Sequence, residues 1–154
     1  MPPELAKQKL MVHGSFITNH PDWSESFLGR LKPYRGAISN SVFEDILACL
    51  ESVFSEVNCA PMIDIRIASG VQGILHYGRT WLLDENSGLR QSGRVSADEV
   101  DRLKRWLDVI SNIYAYMLWI KVDQEYLFGS YLDEQLSSLS IRAPNFARPT
   151  DIQP

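Results

Sequence analysis

Cysteine is scarce: the chain has two, Cys49 and Cys59, ten residues apart. One such pair is no disulfide framework, and no Cys/His cluster has the spacing of a zinc site. Cys49 is expected to behave as a small buried hydrophobe, with pairing to Cys59 left open. Long apolar runs are also missing. The longest, residues 113–120, falls far short of the roughly 20 residues that span a bilayer. The opening MPPELAKQKLMVHG has no apolar core of signal-peptide length. A cytoplasmic protein without membrane contact is expected. Nor is there an excess of base: 15 Lys and Arg stand against 19 Asp and Glu, for a net charge of −4. Phosphate binding needs a concentrated basic footprint, so a nucleic-acid partner is not expected.

The motifs of catalysis are absent as well. There is no HExxH, no Glu-x-x-His pair, no GxGxxG, no Walker loop and no GxSxG. Each would place a nucleophile, base, metal or phosphate cradle at a spacing its chemistry needs. On these grounds the chain is expected to be no enzyme and to carry no cofactor or metal.

What is present is ordinary globular composition. With 154 residues, 45% hydrophobic and 22% charged, the chain is long enough for one self-sufficient core. Periodicity assigns the fold class: an all-α, single-domain bundle of four to five helices over residues 1–140. The runner-up is an α+β domain with a strand near 62–68, where Ile63, Ile65 and Ile67 alternate with Asp64 and Arg66. The tail, 141–154, holds Pro144, Pro149 and Pro154 and is expected to be extended or disordered.

The segments differ in clarity. Residues 1–18 fit a short helix or an irregular arm equally well. Residues 21–31 read as a helix opened by Pro21, with Trp23, Phe27 and Leu31 on one stripe. Over 41–57 the pair Ser41 and Glu44 suggests a capping box, and Val42, Phe43, Ile46, Leu47, Leu50, Val53 and Val57 share one arc. Residues 62–84 carry period 3.6 for longer than period 2, despite Gly70, Gly73 and Gly78. The glycines near the apolar arc would let another helix approach closely. Residues 85–95 read as a loop, with Gly88 a helix stop. Residues 96–121 form a strong helix opened by Ser96 and Glu99, whose second half is apolar all round and expected to be largely buried. A last helix is expected over 124–139. Leu47, Leu50, Val53, Ile74, Trp81, Leu103, Leu107 and Ile110 should form the core.

Three candidate sites follow. Glu44, Asp45, Glu51 and Glu56 give the 41–57 helix an acidic face, which suits docking of a basic protein partner. A non-catalytic interaction module, such as an adaptor, regulator or immunity-type inhibitor, is the expected function. The alternative is a small-molecule or anion binder, conceivably an enzyme, using a polar strip of Arg66, His76 and Arg79. Finally, Tyr116 and Trp119 point away from the main stripe of the 96–121 helix. They suggest a homodimer interface. His13 and His20 lie near loops, and capping suits His20, immediately before Pro21.

Overall fold

The computed structural model describes residues 1–58, 60–119 and 121–137. Of these, 73% are helical, and no strand occurs among them. The all-α expectation is met, and the strand near 62–68 is replaced by a helix. The expected 141–154 tail lies outside the described residues, as does Cys59.

The chain opens with α1 (Pro3–His13), the segment that periodicity leaves undecided. Proline in the first turn and Glu4 beside it suit a helix start. Its buried side mixes Ala6, Leu10 and Val12 with Lys7 and His13, so no clean apolar stripe is visible in the sequence. A 3-10 turn (Pro21–Glu25) and α2 (Phe27–Leu31) follow in place of one continuous helix. Ser26 divides them, accepting from the Gly29 amide to cap α2.

Helix α3 (Asn40–Ser52) starts earlier than the Ser41 capping box implies. Ser39 is the cap, its Oγ accepting from the Ser41 amide at 3.3 Å. The helix does not run through to Val57. Val53 leaves helical geometry, with φ −101° and ψ 6°, and a short α4 (Phe54–Val57) resumes beyond it. Val53 itself stays fully buried.

Helix α5 (Ile65–Leu83) begins at Asp64, whose carboxylate accepts from the Arg66 amide at 2.9 Å. That cap terminates the alternating run that suggests a strand. The glycines counted against this helix are contact points. A Cβ on Gly70 would lie 2.6 Å from the Leu10 carbonyl carbon, and one on Gly73 would run into the Gly14 carbonyl oxygen. Here α1 crosses α5 backbone to backbone. Gly78 instead receives side chains, those of Leu107 and Phe27.

Gly88 does not stop a helix. It is the first residue of α6 (Gly88–Gln91), a short turn capped by Ser87 inside the expected loop. Helix α7 (Ala97–Trp119) follows Ser96, whose Oγ accepts from the Glu99 amide at 3.2 Å. Only half of the capping box forms, because the Glu99 side chain turns elsewhere. Asp123 then caps the last helical stretch through the Tyr126 amide. A π-helical segment (Tyr126–Tyr131) runs into α8 (Leu132–Ser137).

One core joins these elements. Leu47, Leu50, Val53, Ile74, Leu103, Leu107 and Ile110 are buried in it as expected. Trp81 is only partly buried, stacked on Tyr77 with the Lys32 ammonium 5.1 Å from its ring centre. The large aromatic at the centre is instead Trp106, stacked on Phe43 at 4.9 Å with the Arg102 guanidinium 4.5 Å from its ring centre. Arg102, which periodicity places on the outer face of its helix, is held inward by Glu99, Asn40 and the Ile38 carbonyl.

Cys49 is a buried free thiol, and burial pushes it up to about 12. The thiolate is the reactive form, so this sulfur should be inert in the native state. In a Cys59→Ser variant at pH 8, a disulfide exchange reagent should leave native protein unmodified and label one thiol per chain after denaturation. Rapid native labelling would contradict the packing of α3.

Candidate functional site

The four acids of the expected docking face are all partly buried, and they do not act together. Asp45 accepts from Lys9 Nζ at 2.6 Å and pairs with His13 Nε2 at 3.0 Å. Burial pushes its carboxyl upward, but those two partners outweigh burial and hold it below its ordinary value. Glu56 pairs with the buried Lys7 at 2.6 Å. Glu51 sits at the far end of α3, hydrogen-bonded to Gln124, with burial pushing its carboxyl upward. Much of the face is therefore neutralised by α1, and what remains is Glu44 and Glu51. The bases involved come from a segment 36 residues away in the case of Lys9 and Asp45. Helix-wheel reasoning on 41–57 alone has no access to them.

The polar strip also fails to converge. Arg66 is held by Glu4 at 2.9 Å and by Asp64 at the start of α5. His76, ten residues further and so about 15 Å along the axis, sits edge-on to Tyr77. Arg79 reaches Asp108 on α7 at 3.4 Å. Both arginines meet carboxylates of the chain itself, and among the described residues no hydrogen bond or ion pair joins the three residues.

A shallow cleft does exist where α1, the 3-10 turn and α3 meet. Its larger part, about 360 Å³, is lined by His13, Glu25, Arg30, Ser39, Ser41, Val42 and Asp45. A smaller part, about 170 Å³, adds Lys9, His20 and Asp22. Histidine, serine and aspartate together invite a catalytic reading, and the geometry opposes it. The Phe27 amide donates to His13 Nδ1 at 3.1 Å, so the ring proton sits on Nε2 and is donated to Asp45. Both ring nitrogens are occupied, leaving none to act as a base toward a substrate. Ser41 Oγ donates to Ser39 Oγ. His20 performs the capping expected of it, its Nδ1 accepting from the Asp22 amide at 3.2 Å. Among the described residues no group of three or more His, Cys, Asp and Glu is placed to hold a metal ion.

The remaining feature is the C-terminal end of α7. Among the described residues of the 113–120 run, the expectation of burial all round holds for Ile113 and Met117 only, and Ile120 lies outside the described residues. Tyr114 and Leu118 are partly buried, Tyr116 is exposed and Trp119 is 82% exposed. The physical reason is position, because the bundle core covers one side of this last turn. Tyr116 meets the Tyr131 ring edge-on at 5.1 Å, and Tyr126 is 56% exposed. These rings share their end of the molecule with exposed Asp123, Glu125, Asp133 and Glu134. The ends of α3 and α4 join them, α3 through Glu51 and Gln124 and α4 through its C-cap Asn58, whose Nδ2 donates to the Val122 carbonyl at 3.0 Å. The sequence signal was the all-apolar run at 113–120, which one core-facing stripe cannot absorb.

Among the described residues no helix is long and apolar enough to cross a membrane. The chain matches no protein-family model, no curated protein and no solved structure.

Proposed function

We propose that this chain is a non-catalytic protein-binding module, acting in the cytoplasm, whose contact surface is the aromatic end of α7. The observation that carries the reading is Trp119, a tryptophan 82% exposed at the end of a helix whose other large apolar residues, Tyr116 apart, are buried or partly buried. Tryptophan and tyrosine dominate the energetics of protein interfaces, since their rings bury much area at little cost in side-chain entropy. The acidic face expected over 41–57 contributes to this surface through Glu51 rather than through Asp45 or Glu56. The alternative, an anion binder on Arg66, His76 and Arg79, lacks convergent geometry.

A two-fold homodimer through Tyr116 and Trp119 is the competing occupant of the same surface. Electrostatics disfavours it. Residues 113–137 carry four acids and one base, Lys121, so self-pairing would oppose two like-charged ends.

The test is selection from a displayed library of random peptides against the immobilised full chain. Peptides should be enriched that bind the native protein and lose affinity by about 2 kcal/mol or more with Trp119→Ala. Folding stability should change by less than about 0.5 kcal/mol, because the side chain is exposed. Selected peptides that bind the Trp119→Ala variant equally well would remove the docking reading.

A further inference from the structure

We infer that the partner offers this surface a basic, arginine-bearing segment. The inference rests on the reading that the Trp119 end is the docking surface, and it adds the chemistry of what docks there.

Charge is the first support. Glu4, Asp45, Glu56, Asp64, Glu99 and Asp108 each lie within ion-pair distance of a Lys, Arg or His, whereas Glu44, Glu51, Asp84, Glu85, Asp98 and Asp101 join no ion pair among the described residues. After α7, four acids of the second kind, Asp123, Glu125, Asp133 and Glu134, fall within twelve residues. Glu125, Asp133 and Glu134 are exposed, and none of them joins an ion pair among the described residues. Asp123, itself exposed, spends one oxygen capping the last helix. The single base nearby in the sequence is Lys121. A field of one sign around an apolar centre speeds the approach of an opposite charge and penalises a like one.

The rings are the second support. Trp119, Tyr116 and Tyr126 present aromatic faces or edges to solvent. The negative face of such a ring attracts a cation, tryptophan most strongly. Arginine suits this combination better than lysine. Its planar guanidinium stacks on a ring while its edge reaches a carboxylate, and it sheds water more readily than an ammonium. The same pairing already occurs inside the molecule, where Arg102 lies over Trp106 and is bound by Glu99. Acids flanking exposed rings therefore form a receptor for guanidinium, with the rings supplying apolar area and the carboxylates orientation.

The probes are peptides selected by the native full chain that require Trp119. Their sequences should be enriched in arginine. A synthetic copy with every arginine replaced by citrulline, a neutral side chain of the same shape, should bind at least about tenfold more weakly by calorimetry. The double variant Glu125→Lys, Glu134→Lys should weaken the arginine peptide by a similar factor, and raising salt should weaken it further on the native chain. Trp119-dependent peptides without basic enrichment, or citrulline copies of equal affinity, would overturn this inference while leaving the docking surface in place. Loss of Trp119 dependence itself would remove both. A dimer seen by sedimentation at micromolar concentration and dissociated by Trp119→Ala would make a second copy the occupant, and would overturn the inference too.

Discussion

Gly70→Ala should destabilise the protein by about 3 kcal/mol, at the upper end of the range for overpacked sites. The added methyl would stand 2.6 Å from the carbonyl carbon of Leu10 and 2.8 Å from the Leu10 carbonyl oxygen. The neighbour is backbone within a helix, so relief requires α1 to move as a unit. That movement would loosen Ala6 and Leu10 in the core and disturb the His13 contacts to Asp45 and Phe27. For a chain of this length the change corresponds to a fall of about 6–12 °C in melting temperature. Gly129→Ala provides the control. Nothing lies within 4 Å of a Cβ there, and alanine is the better helix former by about 1 kcal/mol. Thermal melts should show the first variant falling and the second unchanged or rising. Equal behaviour would mean that α1 does not cross α5 at this distance.

Glu99→Ala should cost a similar amount, about 3 kcal/mol, for an electrostatic reason. Glu99 is 8% exposed. One oxygen accepts from the Ile38 amide at 3.0 Å and from Arg102 Nη2 at 2.7 Å, and the other accepts from Arg102 Nε at 2.9 Å. Removing the carboxylate leaves a buried amide without an acceptor and strips Arg102 of its counter-charge. Glu99→Gln keeps an acceptor for the Ile38 amide and should cost less than the alanine change. Urea denaturation followed by far-ultraviolet circular dichroism measures both. The midpoint should fall with unchanged slope if the folded and unfolded states keep their exposed areas. A loss below about 0.5 kcal/mol for the alanine variant would show that the 32–39 loop is held by other contacts.

Where a segment is long and buries one stripe, its sequence reveals it. Helices α3, α5 and α7 have clear periodicity, and their core residues follow from it. Helix α1 does not, because three of its five buried residues are Lys7, His13 and an alanine. Its fit depends on glycines of α5, some 60 residues later, and on acids of α3 and α4. Boundaries were the weakest part for local reasons. Ser39 and Ser41 are both good caps, and the geometry around Val53 leaves no composition mark. Gly88 is compatible with either end of a helix.

The same division runs through the candidate sites. Tyr116 and Trp119 were legible as residues that one helix stripe cannot bury, and they lie in the surface proposed for docking. The acidic arc of α3 and α4 was visible too, but its neutralisation by Lys7, Lys9 and His13 depends on tertiary pairing. The His13 cleft was missed, since a lone histidine near a loop gives no hint that an amide and a carboxylate will occupy its two nitrogens.

The central claim is that binding occurs at the aromatic end of α7 and not in the cleft beside His13. Nitrogen–proton correlation spectra of the full chain, recorded during titration with a selected arginine peptide, test it most directly. The account predicts that the indole N–H of Trp119 and the amides around Tyr116 and Tyr126 shift progressively, while those around His13, Arg30 and Ser41 stay in place. Shifts concentrated around His13, Arg30 and Ser41, with the Trp119 indole unmoved, would contradict it.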